Sequence, residues 1–119
     1  MTSEEAEQFL RDFKVKKTIW SIAYENREKN RQAIADLEIT PSYRDKVIDQ
    51  LHFTDYSEGP LEDEFFGRRE MWVFGKDVKD IEVYIKITMG NENNPTICIS
   101  FHVSEHPMNY PLKNNTLNN

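Results

Sequence analysis

Cysteine occurs once, at Cys98, so the chain holds no internal disulfide framework and no cysteine-built zinc site. Glycine occurs four times, never in the spacing of a loop that cradles phosphate. No apolar run approaches the ~20 residues that a membrane-spanning helix needs. Met1 to Gln8 is acidic, unlike the basic-then-apolar layout of a secretory leader. These absences point to a soluble, cytoplasmic protein without membrane contact. Positive charge is also scarce, with 15 Lys and Arg against 21 Asp and Glu, a net −6. Nucleic-acid binders ordinarily carry the opposite excess. The acidity is spread evenly along the chain, so no basic domain hides behind an acidic tail. Cations can gather only locally, at Arg11 to Lys17 and at Arg68, Arg69 and Lys86.

Aromatics, by contrast, are plentiful: seven Phe, five Tyr and two Trp in 119 residues. That suffices for one core in a domain of common size. We expect a single α+β domain over 1–112 and a disordered, Asn-rich tail over 113–119. Ala6, Phe9, Leu10 and Phe13 recur at helical spacing behind Thr2 and Ser3, predicting a helix from Ser3 to Phe13. The β-branched and aromatic content of Val15 to Tyr24 favours a strand. Arg27 to Leu37 reads as a polar helix, and Thr40-Pro41 starts another that stops near His52. Glu58 to Glu64 reads as an acidic loop between a helix-rich half and a strand-rich half. Met71 to Phe74 begins a strand, with Lys76 to Asp80 as the turn after it.

Two further segments alternate. Ile81, Val83, Ile85, Ile87 and Met89 share one face; Ile97, Ile99, Phe101 and Val103 share another. Gly90 to Pro95 joins them, predicting an antiparallel hairpin whose aliphatic faces lie under the helices. The opposite faces then coincide, collecting Tyr84, Lys86, Cys98, Ser100 and His102 on one exposed sheet surface.

A tyrosine, a lysine and a histidine together can move protons and hold an anion. Arg68 and Arg69 could add phosphate contacts. These groups suit RNA cleavage without a metal, in which the ribose 2′-hydroxyl attacks the adjacent phosphate. Any half-solvated strand pair alternates in the same way, so a plain solvated face is the competing reading. His102 and His106 lie four apart. On a strand that spacing separates them by ~13 Å, too far to share one metal ion.

The run Val83-Tyr84-Ile85-Lys86-Ile87-Thr88, a loop, then Ile97-Cys98-Ile99-Ser100-Phe101, with Val73-Phe74 upstream, resembles the last strands of the motility quorum-sensing regulator (MqsR) toxins. The resemblance covers roughly 71–103. It implies a RelE-like α+β fold, with helices on one face of an antiparallel sheet. It also implies metal-independent cleavage of single-stranded messenger RNA without a cofactor, and a cognate antitoxin as partner. The family's strand tyrosine matches Tyr84, and an active-site lysine of the family falls at His102. A family glutamine falls at Met71, and a second lysine falls near Glu58. The expected catalytic pair is therefore Tyr84 and His102, with Lys86, Arg68 and Arg69 for phosphate and no metal ligands. The loss of two polar positions leaves a second expectation open, a non-catalytic interaction module on the same scaffold.

Overall fold

The computed structural model describes residues 2–63 and 69–113. Arg68, Glu64 and the expected tail beyond Lys113 lie outside the described residues. The elements in chain order are α1 (Ser3–Trp20), β1 (Ile22–Tyr24), α2 (Glu28–Asp36), α3 (Pro41–Asp49), a short 3-10 turn (Phe53–Asp55), β2 (Tyr56–Leu61), β3 (Met71–Val78), β4 (Ile81–Thr88) and β5 (Thr96–Val103).

Thr2 and Glu5 form a reciprocal capping box at the start of α1. The helix does not stop at Phe13. Three lysines carry it on past the β-branched positions that favour a strand. Lys14 Nζ donates to the Leu51 carbonyl at 2.7 Å. Lys16 Nζ donates to the carbonyls of Met89 and Asn91. Lys17 Nζ lies 3.0 Å from both Asp45 and Asp49 on α3. Tertiary contacts thus override local propensity, and only Ile22–Tyr24 of the expected strand is extended. These lysines are occupied in tying α1 to its neighbours.

The strands form one five-stranded sheet in the order β1-β5-β4-β3-β2. The class is α+β, but the sheet is mixed. β1 pairs parallel to β5, and the remaining pairs are antiparallel. A parallel edge strand was not visible because three residues carry too short a pattern to read. The expected acidic loop is instead strand β2 as far as Leu61. Pro60 is tolerated there because β2 is an edge strand, where one backbone N–H is dispensable. The β3–β4 turn is also shorter than expected. It consists of Lys79 and Asp80, both with positive φ (54° and 67°), the geometry of a tight two-residue hairpin.

Helices α1, α2 and α3 cover one face of the sheet. Phe9, Phe13, Ala33, Leu37, Val47 and Ile48 pack there against Phe74, Val83, Ile85, Ile87 and Phe101. Phe9 stacks on Trp72 with ring centroids 4.6 Å apart.

β5 contains the feature that matters most for the opposite face. Tyr84 pairs with His102, Ile85 with Phe101 and Lys86 with Ser100, but Ile87 pairs with Cys98. Ile99 is therefore an extra residue, a bulge. It reverses the expected placement at the start of the strand. Cys98 is fully buried in the core rather than on the polar face, and Ile97 takes the opposite side with Thr88.

Candidate functional site

On the face away from α1 and α3, β4 and β5 present Tyr84, Lys86, Ser100 and His102 as the floor of a cleft of about 940 Å³. The α2 N-terminus, with Arg27 to Asn30, forms one wall. Ser57 and Glu58 of β2 and the segment Ser104 to Asn109 complete the lining.

Tyr84 and His102 face each other across the β4–β5 ladder. Their rings are stacked with centroids 5.2 Å apart and planes 14° from parallel. His102 Nδ1 lies 3.0 Å from the Val103 carbonyl oxygen, which can only accept. In the neutral ring Nδ1 therefore carries the hydrogen, and Nε2 keeps its lone pair. Tyr84 is half-buried. Burial, and then the Glu58 carboxylate, raise its pKa above the ordinary phenol value, with Arg27 opposing. Near neutrality Tyr84 is accordingly a proton donor rather than a base.

Lys86 stands directly opposite Ser100. Ser100 Oγ accepts a hydrogen bond from Arg27 Nη1 at 3.3 Å. Arg27 is also 3.8 Å from the Glu25 carboxylate. It occupies the N-cap position of α2 without capping it through its side chain, so the guanidinium is turned toward the sheet. Lys29 pairs with Glu105 at 2.9 Å across the cleft rim. Arg27, Lys29 and Lys86 are matched in number by Glu28, Glu58 and Glu105. The cleft is thus locally balanced in charge, although the chain carries −6.

The structure therefore brings together Tyr84, Lys86, Ser100 and His102, as the strand pattern indicates. It does not bring Arg69 to them. Arg69 is exposed and lies outside the cleft lining. It is instead close enough to Lys16 to help burial lower that ammonium's pKa. The reason is the pairing register. Met71 opposes Thr88, so the residues before β3 stand at the far end of β4 from Tyr84. Met71 is likewise outside the cleft, whereas Glu58 lines it. Cys98 is not a surface thiol, and burial pushes its pKa up to about 12. Arg27 was not singled out in the sequence. Its only signal is a lone arginine before a helix start, which carries no sense of which strand the helix will meet.

Among the described residues, no three His, Cys, Asp or Glu side chains gather as a metal site would require. No described helix is long and apolar enough to cross a membrane. Comparison with family models, with curated proteins and with solved structures returns no match.

Proposed function

We propose that the protein is a metal-independent endoribonuclease acting on single-stranded RNA in the cytoplasm, as the toxin of a toxin–antitoxin pair. The observation that carries this reading is the stacked Tyr84–His102 pair in a cleft that also holds Lys86 and Arg27. His102 Nε2 takes the proton of a ribose 2′-hydroxyl. The 2′-oxygen attacks the adjacent phosphorus, and the bond from phosphorus to the 5′-oxygen breaks. Tyr84 supplies a proton to that leaving oxygen. Lys86 and Arg27 stabilise the charge that grows on the non-bridging oxygens. The products are a 2′,3′-cyclic phosphate and a 5′-hydroxyl, and every proton taken from one oxygen is returned to another. The resemblance of residues 71–103 to the MqsR toxins supports the same chemistry and supplies the antitoxin as partner.

Purified protein incubated with single-stranded RNA and EDTA should yield cyclic-phosphate ends. His102→Ala should lower the rate by about 10²–10⁴-fold, the usual worth of a positioned acid–base group. Wild type cutting no better than His102→Ala would overturn the assignment.

The equal count of cations and carboxylates in the cleft favours a second reading, a non-catalytic interaction module. Glu58 lies near the position where the resembled family carries a lysine, and its carboxylate weakens phosphate attraction. That reading predicts intact RNA in the same assay, and no growth arrest when the protein is expressed in a bacterium.

A further inference from the structure

The cleft depends on a local break in β5, and a single buried side chain spans that break. β1 pairs with β5 only as far as Cys98, where the Glu25 amide donates to the Cys98 carbonyl. Beyond this point the outer edge of β5 has no neighbouring strand among the described residues, and Asn30 of α2 takes its place. Asn30 is 4% exposed. Its Nδ2 donates to the Ile99 carbonyl at 2.9 Å and to the Glu25 carbonyl at 3.1 Å. Its Oδ1 accepts from the Phe101 amide at 3.0 Å. The carboxamide thus makes the donor and acceptor contacts of a missing strand residue, at the bulge residue Ile99 and at Phe101 just beyond it.

The bulge decides which way the site points. Cys98 faces the core. Strict alternation from Cys98 would turn residues 100 and 102 toward the core as well. The extra residue, Ile99, resets the phase, so that Ser100 meets Lys86 and His102 meets Tyr84 on the cleft side. Because β1 pairs with β5 only as far as Cys98, Ile99 O and Phe101 N on the outer edge of β5 take Asn30 as their partner beside the bulge.

We infer that Asn30 is the positioning residue of the site, holding the β5 bulge so that Ser100 and His102 face the cleft. Its bearing on catalysis rests on the RNA-cleavage reading; its bearing on the geometry does not. The same helix turn delivers Arg27 to Ser100. α2 therefore sets both the phase of the strand and the cation above it.

NMR of the whole protein tests the inference, with RNA cleavage measured in parallel. In wild type, the Phe101 amide proton should exchange slowly, and the ring protons of Tyr84 and His102 should show mutual NOEs. Rapid exchange at Phe101 would overturn the proposal without any variant. Asn30→Leu keeps the number and branching of the side-chain heavy atoms and removes all three bonds. If folded, it should lose the Tyr84–His102 ring NOEs while keeping those between Phe9 and Trp72 in the core. Its kcat should fall at least about tenfold, toward that of His102→Ala. Asn30→Asp keeps an acceptor for Phe101 and places a carboxylate oxygen against the Ile99 carbonyl, so its NOEs and kcat should be intermediate. It decides the matter if Asn30→Leu does not fold. A folded variant of either kind with wild-type ring NOEs overturns the inference. Lost NOEs in a protein whose wild type cuts no RNA would sink the proposed reaction and leave the positioning role standing. RNA cleavage by wild type with unchanged NOEs in the variants would do the reverse.

Discussion

At the scale of single residues, Asp45 shows how one carboxylate can join three elements. It accepts from Tyr24 Oη at 2.7 Å and from Lys17 Nζ at 3.0 Å, linking α3 to β1 and α1. Burial alone would raise its pKa, but the bonds from Tyr24 and Lys17 outweigh burial and leave it below the ordinary value. An aspartate depressed in the folded state contributes stability above its unfolded pKa of ~3.9, and loses that contribution as pH falls through the folded value. Asp45→Asn should therefore cost stability at pH 7, by about 0.5–1 kcal/mol because the side chain is 41% exposed and screened. The difference from wild type should shrink steadily below pH 4 and vanish in the most acid samples. Urea titrations at several pH values check this. An unchanged gap at pH 2–3 would mean that the bonds to Asp45 do not depend on its charge.

At the scale of elements, α2 ends in a geometry its sequence does not favour. Ile39 N donates to the Ile34 carbonyl and Glu38 N to the Ala35 carbonyl, the paired bonds of a Schellman ending. The motif requires a left-handed residue, and here it is Glu38, with φ of 52°. Glycine adopts that conformation without the Cβ penalty. Glu38→Gly should therefore stabilise the fold by about 0.5–1 kcal/mol, read as a higher midpoint of thermal or urea unfolding. A lower midpoint would show that the Glu38 side chain has a contact that outweighs the strain. The start of α3 was legible because a cap residue followed by proline is a local signal, and the body of α2 because Ala33 and Leu37 recur at helical spacing. The β4 alternation was legible for the same reason, and with it the shared face of Tyr84 and Lys86. The extension of α1 was not, because lysines bind partners 28 to 75 positions away in the chain. The bulge at Ile99 was hidden in another way. Five alternating residues look regular whether or not one is extra, and only the opposing strand supplies the count.

At the scale of the whole molecule, the segment after β5 wraps from one face of the sheet to the other. Met108 N and Tyr110 Oη donate to the two carboxylate oxygens of Glu82, at 3.1 Å and 2.6 Å. Leu112 then joins the core on the helical side. Tyr110 fits over β3 only because position 75 has no side chain. A Cβ on Gly75 would collide with Tyr110 Oη and come within 2.9 Å of Met108 Sδ. Gly75→Ala should cost about 1–3 kcal/mol as an overpacked site, measured by urea unfolding. Adding Tyr110→Ala should recover much of that loss, since the two changes share one contact. Simple additivity of the two costs would refute the fit described here. The wrap also forms one side of the cleft through Ser104 to Asn109. Its role was not legible from sequence, because nothing local to Gly75 names the tyrosine that will cover it.

The pairing of β1 with β5 carries a consequence in time. Arg27 and Ser100, whose side chains meet in the cleft, are 73 positions apart in the chain, and Asn30 reaches partners 69 and 71 positions away. Contacts of such span pay their loop-closure cost before they return anything, so they form late in folding. During translation the first three helices emerge long before the strand they must bracket. The stacked Tyr84–His102 pair is assembled in the same order: His102 meets Tyr84 only after β5 has been made, so a partly made chain carries no formed cleft.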